Sequence, residues 1–172
     1  IKDGATTGSV EVTVAERDDV YNETDSVSAK IESATGGNFE KLVVDKTAAV
    51  TQITDTVDVT KVSLSATGSL TEAGGIITYT ATLTSKAQGE VKVMLSNGET
   101  ITIKDGETTG RVEVTVGADE DVYLDASSVS ASITTATGGN FESLVVDKTA
   151  AVTQITDTVD VTKVSLSATG SL

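Results

Sequence analysis

The stretch GGIITYTATLTSKAQGEVKVMLSNGETITI, residues 74–103, decides how this chain is built. Within it Ile77, Tyr79, Ala81 and Leu83 alternate with Thr78, Thr80, Thr82 and Thr84. A period of two sends one set to each face of an extended strand, the apolar set inward and the hydroxyls outward. The run Val91–Leu95 follows, then Asn97-Gly98, then Thr100–Ile103. Asn-Gly between two such runs predicts a two-residue hairpin of type I′, whose central residues both need positive φ. No stretch carries a helical period with caps.

Working outward, Val62, Leu64 and Ala66 alternate in the same way, and further runs cover Arg111–Val116, Val129–Ile133 and Leu144–Ile155. Turn chemistry separates them at Gly74-Gly75, Lys104-Asp105-Gly106 and Gly138-Gly139-Asn140. Seven strands at this spacing predict an all-β fold, an antiparallel β-sandwich of immunoglobulin-like type. Without Cys or Trp the Cys–Trp–Cys core of an antibody domain is excluded, but the architecture is not. Tyr123 stands where a tyrosine corner can form; the alternative is an ordinary half-buried tyrosine.

Residues 42–70 recur letter for letter at 144–172, and over the whole overlap of 1–70 with 103–172 only 14 positions differ. The offset of 102 is the length of a small domain, not of a solenoid rung. Residues 59–160 then make one complete repeat, 1–58 the back part of a preceding one, and 161–172 the first strand of the next. The leading piece lacks counterparts of residues 71–102 and cannot close a core alone, which implies a longer parent chain. Thr153–Val164 joins the repeats without Gly or Pro, so extended chain is expected there instead of a flexible linker. Domains joined end to end follow.

Acidic residues outnumber basic ones 26 to 12, a net charge of −14, which disfavours nucleic acid and anionic membranes as partners. Solubility, salt tolerance and divalent cation binding remain as readings of that charge. There is no cysteine for a disulfide or thiolate site and no apolar run long enough to span a membrane. Histidine is also absent, so no imidazole base, histidine triad or His-ligated zinc exists. Nothing is placed to activate the many Ser and Thr hydroxyls, and with aromatics at 3% there is little to line a sugar cleft. An enzyme is not expected, nor a small-molecule substrate.

Following the strands up and down places the 70–75 loop, the 117–127 loop and the exit of the last strand at one end. These deliver Glu72, then Asp119, Glu120, Asp121 and Asp125, then Asp157 and Asp160. Carboxylates brought together repel unless neutralised, and Ca²⁺ accepts six to eight oxygens in flexible geometry. The layout resembles the cadherin junction in its logic. The candidate ligands are Glu72, Asp121, Asp157 and Asp160, with Asp19, Asp55 and Asp58 at the matching positions of the first copy and Asp105 from the turn expected to face them in the next domain. Arg17 replaces Asp119 in the first copy, so Asp119 is dispensable to such a site. No EF-hand or GGxGxD spacing is present. The rival reading is a solvated acidic loop.

In order, SLSATGSLTEAGGIITYTATLT, VKVMLSNGETITIKDGETTG, DEDVYLDASSVSASI and ATGGNFESLVV resemble the long extender repeat of giant bacterial RTX-type adhesins over the whole period. That resemblance implies a secreted protein held at the bacterial cell surface, an immunoglobulin-like sandwich repeated many times, and calcium stiffening the junctions. The expected role is a monomeric spacer whose partners are neighbouring repeats of the same chain. The alternative is a loop-mediated glycan-binding module using the ATGGNFE loop and Phe141.

Overall fold

Alternation becomes a ladder wherever two apolar faces can share one core. The computed structural model describes residues 1–15 and 17–170, which are all-β, with no helix. They fall into two units, Ile1–Asp58 and Val59–Leu172.

In the second unit β5 (Gly75–Leu83) is the spine. It pairs antiparallel with β3 (Val59–Ser65) and β8 (Thr109–Val116), and β11 (Ser143–Val146) lies parallel to β3, giving the order β11-β3-β5-β8. Opposite stand β10 (Ile133–Gly138), β6 (Val91–Leu95) and β7 (Thr100–Ile103), in that order, and β4 (Ser69–Thr71), β12 (Ala151–Thr156) and β9 (Ser127–Ala131). Ile77, Tyr79, Ala81 and Leu83 from β5 are all buried, as are Val91, Val93, Leu95, Ile101, Ile103 and Ile133 from the facing strands. Each such aliphatic side chain contributes about 1.5–3 kcal/mol on burial. That core holds the loops at both ends in place.

Three predicted runs break and change partners. Chain 59–71 leaves β3 at Ala66–Gly68 to pair β4 with β12. The run Val129–Ile133 breaks at Ser132, whose N–H and carbonyl are taken by Ser96. The run Leu144–Ile155 is interrupted at Asp147, which accepts the N–H and O–H of Thr149 at 3.0 and 2.7 Å. In each case a side-chain oxygen or a glycine offers the backbone an alternative to the ladder, which alternation cannot reveal.

Two local expectations are corrected. The Asn97-Gly98 turn is not type I′, because only Gly98 has positive φ, at 89°. Leu95 N–H bonds the Glu99 carbonyl and Gly98 N–H the Leu95 carbonyl, leaving a three-residue loop in which Gly98 takes the left-handed position. Tyr123 is neither corner nor half-buried; it is 73% exposed.

The first unit contains β1 (Asp25–Ala29) and β2 (Ala49–Ile53), an antiparallel pair running from Asp25↔Ile53 to Ala29↔Ala49. Its Ile1, Val10, Val12 and Phe39 are exposed.

Candidate functional site

At the end of the second unit where β5 begins and β12 finishes, Glu72, Asp125 and Asp157 converge. One carboxylate oxygen from each lies within 4.8 Å of the others. Glu72 comes from the tight turn between β4 and β5, and is 5% exposed. That turn depends on Gly74 (φ 80°), where a Cβ would stand 2.6 Å from the Val116 carbonyl oxygen. The Glu72 carbonyl accepts the Asp119 N–H at 2.9 Å, which ties the 117–126 loop to the turn. The Glu72 N–H donates to the Thr156 carbonyl at 3.1 Å, which ties it to the end of β12.

The Glu72 carboxylate takes both donors of Thr158, O–H at 2.6 Å and N–H at 2.9 Å. These bonds, the hydroxyl first, hold its pKa below the ordinary value against the opposing effect of burial. Asp157 shifts the other way. Burial, then a hydrogen bond and the charge of Glu72, then the charge of Asp125 push its pKa up, and the Asp125 N–H opposes them. Asp157 Oδ1 is buried with no hydrogen-bond partner among the described residues. Beside the three acids a cavity of about 140 Å³ is lined by Glu72, Asp119, Asp125, Ala126, Ser127 and Ile155.

Three carboxylates, one of which carries a buried, unpartnered oxygen, form a set that could hold a hard cation such as Ca²⁺ or Mg²⁺ and offers nothing to soft metals. Such an ion would neutralise the charge that raises Asp157.

The eight sequence candidates are distributed unevenly around this point. Glu72 and Asp157 are in the triad. Asp121 lies outside it and instead accepts the Tyr123 N–H at 2.7 Å, shaping the loop; Asp19 does the same for Tyr21 at 2.8 Å. Asp160 is exposed beyond β12. Asp105 sits at the other end of the β5–β8 ladder, where its Oδ1 accepts the Gly89 N–H at 2.7 Å. Asp55 is exposed and Asp58 half-buried in the first unit. Asp125 was not among the eight. Four acids share its loop, and only the loop's folded path decides which one turns toward Glu72.

The first copy preserves part of the arrangement. Thr56 donates its hydroxyl to Asp18 as Thr158 does to Glu120. Glu23 and Asp55 stand at the places of Asp125 and Asp157, while Arg17 pairs with Asp25 at 3.2 Å. The ATGGNFE loop, the alternative site for a glycan, buries Phe141 to 7% exposure in the second unit and leaves Phe39 66% exposed in the first.

A LapA domain profile matches residues 1–56 and again 58–158. This chain belongs to the LapA domain family. The family is adhesin-related and is not an enzyme family, so the chain has a cell-surface, adhesin-related role. The two matched stretches cover nearly all of it. Among curated proteins none matches the chain. No helix among the described residues is long and apolar enough to cross a membrane.

Proposed function

We propose that this LapA-domain chain is a spacer from a bacterial RTX-type adhesin, built of tandem immunoglobulin-like sandwiches and stiffened by Ca²⁺ where one repeat hands over to the next. Residues 59–160 form the complete repeat, 1–58 the end of one and 161–172 the beginning of another. The observation that carries the reading is the Glu72–Asp125–Asp157 triad with its buried, unpartnered Asp157 oxygen. It stands against Thr158, two residues before Asp160, where the complete repeat ends. An ion held by these three acids would cross-link the β4–β5 turn, the 117–126 loop and the exit strand. The direction in which the chain leaves would then be set. Neighbouring repeats are its partners, and terminal domains elsewhere in the parent would do the adhering.

Extracellular modules hold Ca²⁺ at about 10⁻⁴–10⁻³ M, so millimolar calcium outside the cell fills such a site and cytosolic calcium does not. Small-angle scattering on a chain of two complete repeats, in CaCl₂ and then in EDTA, tests this. A rod in calcium that becomes a broad, flexible distribution in EDTA is expected. Identical profiles in both buffers reject calcium stiffening and leave a passive spacer.

A further inference from the structure

We propose that two copies of this chain associate side by side, the open edge of β8 in one pairing antiparallel with the same edge in the other. Among the described residues β8 pairs with β5 alone and ends its sheet, without a bulge from Gly75↔Val116 to Thr82↔Thr109. The other strands of that sheet, β11, β3 and β5, come from the same complete repeat, so the edge belongs to the repeat itself. The chain enters this unit beside the end of β5, where the Thr84 N–H donates to the Lys61 carbonyl at 3.0 Å. It leaves β12 beside the beginning of β5, where the Glu72 N–H donates to the Thr156 carbonyl at 3.1 Å. β8 runs lengthwise between those two ends, along a flank of the unit.

Cover thins toward this edge. Tyr79 and Ile77 of β5 are fully buried, but Val112 and Val114, opposite them in the register, are only half-buried, and so is Val116. A strand added beyond β8 would bury these valines further, and its backbone would take up the open row of N–H and carbonyl groups. The segment TGRVEVTV is rich in β-branched residues and holds neither Pro nor Lys, the common guards of an exposed edge.

Two charges on the outer face select the partner and the register. Arg111 and Glu113 are both exposed, and neither enters an ion pair among the described residues. Antiparallel self-pairing centred on Val112 sets Arg111 opposite Glu113 twice, with Gly110 opposite Val114 and Thr109 opposite Thr115. Centring on Arg111 or on Glu113 opposes like charges, and a slip of one residue sets outward side chains against inward ones. The same patch serves both copies, so the contact is isologous and closes as a dimer. Ser9 stands at the place of Arg111 in the first copy, so the repeat does not require arginine there. The dimer departs from the monomer expected of a spacer, and it needs no calcium. If the spacer reading holds, antiparallel chains are those that reach toward each other from two facing cells.

Two copies of net charge −14 repel at long range, so the test is made at about 0.15 M salt, where the Debye length is about 8 Å. Sedimentation equilibrium of the whole chain in EDTA, at concentrations up to about 1 mM, should show a monomer–dimer equilibrium. Arg111→Glu and Glu113→Arg should each weaken it at least about tenfold, because each opposes like charges twice. An equimolar mixture of the two variants, and the double variant Arg111→Glu/Glu113→Arg, should restore it. Both positions are exposed, so these changes leave the core untouched. The chain has no cysteine. Facing residues of an antiparallel pair lie about 4.5–5.5 Å apart, within disulfide reach, so Val112→Cys should oxidise to a dimer. Val116→Cys, opposite Thr108 in this register, should stay monomeric. A parent chain that remains monomeric, a dimer indifferent to charge reversal, a mixture no stronger than its components, or equal crosslinking from both cysteine variants each overturns the proposal.

Discussion

Thr158 donates both its N–H and its O–H to one oxygen of Glu72, a residue 86 positions earlier in the chain. Through this contact the β4–β5 turn holds the segment that follows β12. The buried carboxylate serves as an anchor for the segment after β12, and one carboxylate oxygen each of Glu72, Asp125 and Asp157 lie within 4.8 Å of one another.

Replacing Asp157 by Asn should act in opposite directions with and without calcium. The carboxylate is raised above its ordinary pKa by burial and by Glu72, so at neutral pH its charge opposes folding. Asp157→Asn should therefore raise the unfolding temperature in EDTA and, on the proposed calcium reading, abolish the further rise expected of the parent in CaCl₂. A variant that still responds to calcium would remove Asp157 from the ligand set.

The same substitution at equivalent places in the two copies should have unequal effects. Ile133 is 1% exposed and Ile31 is 55% exposed. Ile133→Ala should cost about 2–5 kcal/mol, since it removes packed core and leaves a cavity. Ile31→Ala should cost about 0.5 kcal/mol or less. Chemical denaturation of the two variants measures the difference.

Tyr79 lies at the centre of β5, fully buried, and its hydroxyl has no hydrogen-bond partner among the described residues. Burial raises its pKa, which keeps the phenol neutral. Tyr79→Phe should stabilise the protein by about 1 kcal/mol, because it deletes a buried polar group and leaves the ring packing intact. Thermal unfolding checks this, and a loss of stability would mean that the hydroxyl is satisfied.

Asp147 is held below its ordinary pKa by the Thr149 hydroxyl, then by the Thr149 N–H and by the charge of Lys61. A depressed folded pKa gives stability that is complete above the unfolded value, about 3.9, and is lost as the pH falls through the folded value. Asp147→Asn should thus unfold at a lower temperature than the parent at pH 7. The two melting curves should converge as the pH is taken below about 4.

The period of two in residues 74–103 was enough to determine strands and their inward faces, because alternation is a local consequence of backbone geometry. The repeat offset was likewise written in the letters. Local pattern does not determine where a strand trades one partner for another, since Gly68 and Ser132 act through bonds to distant chain, and Asp147 adds to its local bond with Thr149 a distant one from its N–H to the Val62 carbonyl. The candidate site divides in the same way. Acids could be placed at one end of the domain by counting strands, and of those Glu72 and Asp157 do converge there. Selecting Asp125 over Asp121 required the path of the 117–126 loop, which the Asp119 N–H to Glu72 carbonyl bond helps to set. Most telling is that identical letters are buried in one copy and exposed in the other, Val62 against Val164 and Ile133 against Ile31. Sequence determines which residues can form a core, but burial depends on which other strands are present to cover them.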